Sequence, residues 1–431
     1  MDKTRALTST AFALLVLASL LISSPTVSGQ KSKGEVTVLV GGTVYTDPTS
    51  PPIPDGAIVI KDGKIAAIGK SASIRIPAGA SVINCDGLTL TAGFWNSHVH
   101  FTDLEWDRAG FQPVGKLTTQ LREMLTKYGF TSVFDTGSFL TNTQGLRDLV
   151  NSGVVLGPRI LTAGEIIFPE GGPPSPAILK MSHVIPGVMP TAATPEQGVE
   201  IVDQHVKGGA DAIKIYGETW FQPVKVLPYP VVKAITDEAH KRGKPVLVHP
   251  SAIEGLTNAI HAGVDVIVHT APESGPWDAG PNRDLIAEMK RKNIALIPTL
   301  TLWRLEVLRG GGSEKSALYF QNQGVAQLAV YFKMGGLILF GTDVGYTSHF
   351  DTTEEYQAMF RAGLGYRDIL ASLTTNPSSR WGYAKKCGKL APGMDADITV
   401  LESDAASDVT AFSRVRMTIR AGRIIYDARP H

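Results

Sequence analysis

The stretch AGFWNSHVHF, residues 92–101, is a short apolar run that ends in two histidines. His98 and His100 are two residues apart, so both side chains point to the same face of a regular β-strand. In a barrel of parallel strands that face is the lumen, and such barrels place their chemistry at the carboxyl ends of the strands. A satisfied polar pair in the core is the alternative. Two inward imidazoles are an uncommon core filling, so the pattern favours metal ligation.

The same arrangement recurs four more times, each time as an apolar run followed by one side chain that can bind a metal. The runs DAIKIY, KPVLVHP, DVIVHT and LILFGTD supply Lys214, His249, His269 and Asp343. His249 and His269 are twenty residues apart, which is room for a loop, a helix and the next strand. If all the runs are strands of one barrel, the six side chains converge and predict a two-metal hydrolase site.

Lys214 lies in the centre of an apolar strand, where metal cations would repel its ammonium group. One interpretation is a lysine paired with an acid such as Asp135. The interpretation we favour is N6-carboxylysine, in which the neutral amine adds carbon dioxide and becomes a carbamate whose two oxygens bridge two cations. We therefore expect two divalent metal ions, with zinc as the expected metal.

Asp343 ends the last of these runs, within the tripeptide GTD. A carboxylate there can ligate a metal and accept a proton from bound water. Two metals about 3.5–4 Å apart can hold a hydroxide between them, because a metal lowers the pKa of water from about 15.7 to about 7. A helix cap is the alternative role. Asp343 is therefore the predicted catalytic residue.

Other polar residues near these strand ends are candidates for contacts with a substrate. Tyr216 follows Lys214 by two and shares its face, so it could polarise a carbonyl group. Arg304 follows the seventh strand and could pair with a carboxylate. His183 and His349 lie in the loops after strands three and eight. An ordinary loop or core role is the alternative for each of these four residues.

Eight strand candidates alternate with helical patterns in the middle of the chain. They are LTAGFWNSH, FTSVFDTG, RILTAGE, DAIKIYG, PVLVHP, DVIVHT, IALIPTL and LILFGTD. Eight such units are typical of a (β/α)8 TIM barrel, an α/β fold. Short alternating strands precede and follow this region, and Asp62-Gly63 is a strong hairpin signal. We expect a barrel over residues 92–387 and a small β-sandwich formed from residues 30–91 and 388–431.

The amino terminus has the order of a secretory signal peptide, with an uncleaved anchor as the alternative. Lys3 and Arg5 precede an apolar stretch at residues 11–22, and small residues follow. We expect residues 1–29 to be removed and the protein to be exported to a periplasmic or extracellular location. Export permits a disulfide between Cys85 and Cys387, and two buried free thiols are the equal alternative.

The net charge of +1, with 41 basic and 40 acidic residues, gives no reason to expect nucleic acid or an anionic membrane as a partner. After removal of the signal peptide we therefore expect no association with membranes. A small molecule or a short peptide is the expected substrate. The sequence leaves a homo-oligomer open.

The ordered set of these motifs resembles the amidohydrolase superfamily from about Val36 to Asp427. GGTVYTD with GAIVIKDGKIAAIG resembles the amino-terminal sandwich of that superfamily, and AGFWNSHVHF resembles its first metal motif. GTDVG, LTTNPSSRWG and GKLAPGMDADITVL resemble its carboxyl-terminal signature. Within the superfamily, the chain is similar to imidazolonepropionase-like proteins and metal-dependent Xaa-Pro dipeptidases (prolidases). The lysine of the fourth strand favours the two-metal, prolidase-like members.

The resemblance implies a role for each ligand. His98, His100 and Asp343 would hold the more buried metal, His249 and His269 would hold the outer one, and carboxylated Lys214 would bridge them. The loops FPEGGPPSPAI and HPSAIEG depart from the His-containing pattern of this branch, which puts dipeptide specificity in doubt.

The implied reaction is hydrolysis of a C–N bond, in a peptide-like or cyclic amide, by a metal-bridged hydroxide. Asp343 would move the proton to the leaving amine. A one-metal imidazolonepropionase-like hydrolase or deaminase is the first alternative. A secreted binding protein that keeps the fold without turnover is the second.

Overall fold

The computed structural model describes residues 36–173, 179, 189–219, 223–250 and 252–429. The predicted signal peptide, residues 1–29, and the candidate His183 lie outside these residues. Within the described ranges, no helix combines the length and the apolar character needed to cross a membrane.

The described strands fall into three regions of the chain. Before the central region they are β1 (Val36–Val44), β2 (Ile53–Lys61), β3 (Lys64–Lys70), β4 (Ser81–Asn84) and β5 (Thr89–Ala92). In the central region they are β6 (Phe94–Val99), β7 (Phe130–Asp135), β8 (Arg159–Thr162), β9 (Phe168–Pro169), β10 (Thr191–Ala192), β11 (Ile213–Tyr216), β12 (Val246–His249), β13 (Val266–Val268) and β14 (Ala295–Ile297). After it they are β15 (Ile398–Leu401), β16 (Val415–Arg420) and β17 (Arg423–Asp427).

Helices separate the central strands and follow the last of them. They are α1 (Val114–Met124), α2 (Leu140–Asn151), α3 (Pro195–Lys207), α4 (Tyr229–Lys241), α5 (Ile253–Ala262), α6 (Gly280–Arg291), α7 (Leu300–Arg309), α8 (Glu314–Lys333), α9 (Thr353–Arg361), α10 (Tyr366–Leu373) and α11 (Thr375–Arg380). Helix α3 begins where the sequence signals it, because Thr194 and Gln197 form a capping box and Pro195 occupies the first helical position.

Strands from both ends of the described chain form one eight-stranded sheet. Its order is β17-β16-β15-β5-β1-β2-β3, and β4 pairs with β1. Strands β5 and β15 run antiparallel with Ala92 opposite Ile398, so segments far apart in sequence meet here. The predicted hairpin is confirmed, because Lys61 pairs with Lys64 across Asp62 and Gly63, which both have positive φ angles. The sandwich architecture of these terminal segments stays a prediction.

Besides the two-stranded parallel sheet of β9 and β10, the central strands form two larger parallel sheets, so the central region has the mixed α/β character that the sequence predicts. One sheet is β6-β7-β8 and the other is β11-β12-β13-β14. Isolated parallel β-bridges also pair Ile167 with Ile215 and Val99 with Val344. Strands β6, β7 and β12 are buried at every position, as expected for parallel strands that are covered on both faces. Closure of these strands into a barrel stays a prediction.

The eighth predicted strand, residues 337–343, differs from the expectation. A single bridge joins Ile338 to Leu296, although the Ser97 amide also donates to the Phe340 carbonyl over 2.8 Å. The chain turns away at its end, because Asp343 adopts a φ of 62°. At Gly341 a Cβ atom would lie 2.4 Å from the Ile297 side chain, so only glycine fits this close approach.

The two cysteines are free thiols, and both are buried. Cys85 packs with the apolar residues of the eight-stranded sheet, whereas Cys387 packs with central residues such as Trp95 and Phe134. The sequence left open either a disulfide or two buried free thiols, and the structure contains the two free thiols.

Candidate metal centre and active site

Three of the predicted ligands converge tightly at the carboxyl end of β6. Asp343 Oδ1 lies 3.1 Å from His98 Nε2 and 3.0 Å from His100 Nε2, and the two Nε2 atoms are 3.1 Å apart. All three residues are buried. Asp343 Oδ1 makes no hydrogen bond to any described residue, although two ring nitrogens are so close. The three atoms therefore face a common point.

The other three predicted ligands lie beside this group. The His269 ring centroid is 4.7 Å from that of His98 and 4.5 Å from that of His249. Strands β11 and β12 pair so that Tyr216 lies opposite His249, which puts Lys214 two residues before this pair on the same face of its strand. All six predicted ligands line one cavity of about 400 Å³. That volume is within the usual range for a small-molecule site.

Burial sets the protonation of these groups. It lowers the pKa of His98 to about 3, and it lowers the pKa values of His249 and His269 well below their usual range. Burial also lowers the pKa of Lys214 to about 7, although Asp343 and Asp135 oppose the shift. Neutral imidazoles are the form that binds metal ions, and a neutral amine is the form that can add carbon dioxide.

Hydrogen bonds behind the imidazoles fix their tautomers. His100 Nδ1 lies 3.0 Å from the Gly137 carbonyl oxygen, which can only accept, so in a neutral His100 the lone pair lies on Nε2. The Thr299 hydroxyl donates to the Pro298 carbonyl over 2.9 Å and therefore accepts from His269 Nδ1, which is 2.5 Å away. The ε nitrogens are thus left as acceptors, which is the usual arrangement behind metal-bound histidines.

A divalent ion fits the triad of His98, His100 and Asp343. The His100 nitrogen and the Asp343 oxygen are both acceptors, and they face each other over 3.0 Å. Such a pair is repulsive unless a cation or a proton lies between the two atoms. Four ligands at about 2.0–2.1 Å around a tetrahedral zinc ion are separated by roughly 3.3 Å, which is close to the spacing seen here.

Asp135 supports the site and is not one of its ligands. Its carboxylate accepts hydrogen bonds from Ser138 Oγ at 2.6 Å, Thr143 Oγ1 at 2.8 Å and Thr162 Oγ1 at 2.9 Å. Burial raises its pKa, and these donors oppose that shift. Asp135 also accepts from the Gly137 amide, so it fixes the peptide segment whose carbonyl orients His100.

Backbone strain accompanies the ligands on the opposite side of the site. His269, Thr299 and Asp343 adopt φ angles of 70°, 44° and 62°, a region that residues with side chains rarely occupy. Helix α7 starts directly after Thr299, and buried Glu355 accepts from the amides of Leu300 and Thr301, each over 2.8 Å. Glu355 thus anchors the turn that presents Thr299 to His269.

The candidate substrate residues divide into those inside and those outside the cavity. Tyr216 lines it and stacks between His249 at 4.2 Å and Phe168 at 4.6 Å. Among the described cavity residues, neither Arg304 nor His349 is present. Arg304 instead forms ion pairs with Glu314 and Glu354, and His349 is exposed on its loop. The prediction that Arg304 and His349 contact a substrate stays a prediction.

Sequence reasoning missed several residues that line the cavity. Trp303 and Glu306 reach it from the first turns of α7, and Tyr346 reaches it from the turn after Asp343. Tyr346 donates to Glu306 over 3.2 Å, so these two segments meet at the cavity wall. The i, i+3 spacing of Trp303 and Glu306 places them on one helix face, and this was the signal that the sequence offered.

Comparison with known proteins identifies the family. The model of the amidohydrolase family matches residues 89–425, which is most of the chain. The chain therefore belongs to the amidohydrolase family, and the resemblance drawn from its motifs is confirmed.

The individual relatives share modest sequence identity with the chain. An uncharacterized protein from Mycobacterium tuberculosis is 27% identical over 206 residues, which cover 45% of this chain and 51% of that protein. The chain thus spans about half the length of the curated relatives it matches first. A candidate prolidase from Bifidobacterium longum is 25% identical with a TM-score of 0.76, over 92% of this chain and 96% of that chain. A Xaa-Pro dipeptidase with bound methionine shares the fold, with 23% identity, a TM-score of 0.76, and coverage of 91% and 100%.

Replacement of Thr299 tests whether the tautomer of His269 matters. Thr299→Val keeps a β-branched side chain at the strained position but removes the acceptor of the His269 proton. We expect metal affinity or activity to fall about 10–100-fold, the usual cost of losing such an outer-shell partner. Competition with a chelator measures the affinity. Thr299→Ser, which keeps the hydroxyl, is the control, and equal affinities in the two variants would contradict this role.

Proposed function

We propose that the protein is a metal-dependent hydrolase that cleaves a C–N bond in a small amide or a short peptide. One observation carries the proposal. Two imidazole nitrogens and a buried carboxylate oxygen face one another at 3.0–3.1 Å inside a cavity that also contains His249, His269 and Lys214. Family membership and the similarity to a candidate prolidase support the same reaction class. We further propose that the central strands close into an eight-stranded barrel around this cavity.

The proposed ligands form two sets. His98, His100 and Asp343 would hold one divalent ion, and His249 with His269 would hold a second, with carboxylated Lys214 shared between them. The ions, when bound, would act as Lewis acids and lower the pKa of water. The burial of Lys214 favours its carboxylation, because burial lowers the pKa of the amine to about 7 and leaves much of it neutral near neutral pH.

Asp343 is the proposed proton carrier. Burial alone would raise its pKa, but His98 and His100 hold the pKa well below the usual range, so the carboxylate is ionised and can accept a proton. In the proposed reaction Asp343 takes a proton from the attacking water as the new C–O bond forms. It then gives that proton to the nitrogen as the C–N bond breaks, so the product amine leaves neutral.

The cavity walls favour a substrate with an apolar body. Phe168, Tyr216 and Trp303 supply aromatic surface, and Ile166 and Leu302 supply aliphatic surface. We propose that an apolar acyl or side-chain group packs between these residues while the amide lies against the ligands. Because Arg304 is engaged in ion pairs, this part of the cavity offers no guanidinium for a substrate carboxylate among the described residues.

A one-metal hydrolase or deaminase is the second candidate. The close group of ligand atoms found among the described residues consists of His98, His100 and Asp343 alone. That observation is compatible with a single ion and an unmodified Lys214. The number of bound ions separates the two candidates.

The protein loaded with zinc should bind two ions per chain, measured by elemental analysis. His98→Ala removes a proposed metal ligand itself. Its activity should therefore fall further than the roughly 10–100-fold that is typical when a hydrogen-bond partner of a ligand is lost. Lys214→Ala should lose metal and activity, with partial rescue by short carboxylic acids that replace the carbamate. His261→Ala, an exposed histidine on α5, is the control. One ion per fully loaded chain would favour the second candidate.

Substitution of Asp343 separates proton transfer from ligation. Asp343→Asn keeps an oxygen for the metal but removes the base, so turnover should fall about 10²–10⁴-fold while most of the metal is retained. Turnover is measured by amine release from a panel of N-acyl amino acids, dipeptides and cyclic amides. Near-normal turnover with the full metal content would falsify the assigned role of Asp343.

We also propose that the protein is exported, because charged residues precede an apolar stretch within residues 1–29. We expect protein recovered from the exported fraction to begin near Gln30, as determined by amino-terminal sequencing. A mature chain that starts at Met1 would contradict a cleaved signal peptide.

A further inference from the structure

A second cavity, of about 310 Å³, lies at the opposite end of the central strands from the metal ligands. Arg159 is the first residue of β8, and Asp211 precedes β11, so this cavity opens at the amino ends of these strands. The terminal sheet contributes Arg420 from the end of β16, and the segment after α11 contributes Lys386. Nothing in the proposed reaction uses these residues.

Positive charge exceeds negative charge around this second cavity. It is lined by four cations, Arg147, Arg159, Lys386 and Arg420, and by the carboxylates of Asp211 and Asp395. Two of the cations are paired within the protein. Arg147 lies 2.9 Å from Asp211, and Arg159 lies 3.1 Å from both Asp395 and buried Asp397. For Lys386 and Arg420, the described part of the chain offers no carboxylate within 4 Å.

Arg420 is poorly satisfied for a guanidinium that is largely buried. It donates to Asn151 Oδ1 over 3.1 Å and only distantly to the carbonyls of Val150 and Gly157, over 3.5 and 3.4 Å. Its Nε atom is buried and has no hydrogen-bond partner among the described residues. Burial, together with repulsion from Arg159, lowers the pKa of Arg420 to about 10. Asp397 and Asp395 also attract Arg420, but neither forms an ion pair with it, so an anion in the cavity would add to this attraction.

The remaining groups suit the recognition of an oxyanion. Tyr383 lies between two cations, with Arg159 Cζ 5.1 Å and Lys386 Nζ 5.5 Å from its ring centroid. Guanidinium groups form paired hydrogen bonds with phosphate and carboxylate oxygens, and a flexible lysine adds a mobile point charge. Because the whole chain has a net charge of only +1, this excess of positive charge is a local feature.

We propose that this cavity binds a small phosphate-type oxyanion, either free phosphate or the phosphate group of a small metabolite. Arg420 and Lys386 supply positive charge that forms no ion pair among the described residues, and Asn151 and Tyr383 form the walls. The bound anion would contact residues from β8, β16 and the segment after α11, and would thereby link the central strands to the terminal sheet. A ligand that binds only the folded state raises the melting temperature.

The test uses the metal-loaded full chain in buffer free of phosphate and sulfate, at fixed ionic strength set with chloride. Inorganic phosphate and ribose 5-phosphate are titrated separately, with calorimetry for binding and thermal unfolding for Tm. We expect saturable binding and a higher Tm. Tighter binding of ribose 5-phosphate would identify a phosphorylated metabolite as the source of the anion, and equal or weaker binding would identify free phosphate.

Arg420→Gln and Lys386→Gln should each weaken binding at least tenfold. Lys386 is exposed, so its variant keeps the fold if Arg420→Gln does not. Arg423→Gln and Lys385→Gln, neighbouring cations that do not line the cavity, are the matched controls. Phosphate bound at the metal centre would be insensitive to both test substitutions. The proposal is overturned by the absence of saturable binding, by binding that both test variants retain, or by equal losses in the controls.

Discussion

The convergence of buried acceptors on one point is the constraint on which the rest of the structure depends. His98, His100 and Asp343 bring two ring nitrogens and a carboxylate oxygen within 3.1 Å of one another in a buried position. Such an arrangement is unfavourable for the isolated chain and becomes favourable when a cation occupies the point. Hydrogen bonds from surrounding residues therefore hold the site side chains and their supporting turns in this otherwise unfavourable arrangement. The Asp135 network does so behind His100, and Glu355 does so behind Thr299.

The sequence predicted which side chains line the site because strand geometry is local. An apolar run fixes which face is buried, and a two-residue spacing puts His98 and His100 on that face whatever lies around them. The hairpin at Asp62 and Gly63 was predictable for the same reason, since two residues determine the turn. Family motifs then supplied the order of the strands.

The sequence could not predict features that depend on distant partners. The left-handed φ angles of His269 and Asp343 are uncommon for residues with side chains, although His and Asp adopt them more often than most, so their positions could not be predicted from local sequence. From the sequence, Arg304 could pair with a substrate carboxylate. In the structure it forms ion pairs with Glu314 and Glu354, which follow it by ten and fifty residues. The eighth strand is irregular because Gly341 packs closely against Ile297, and this contact crosses between separate segments.

The short pairing of β9 with β10 has an evolutionary consequence. Phe168 and Thr191 are bridged, and the Phe168 amide donates to the Pro190 carbonyl over 2.9 Å, so both ends of the intervening connection are fixed beside β11. In general, doubling the length of a loop between fixed ends costs only about 0.6 kcal/mol of closure entropy. Insertions and deletions there would leave the ligand-bearing strands undisturbed. The chain can therefore vary in length between residues 170 and 190 while β9 and β10 keep their pairing and Ile167 keeps its bridge to β11.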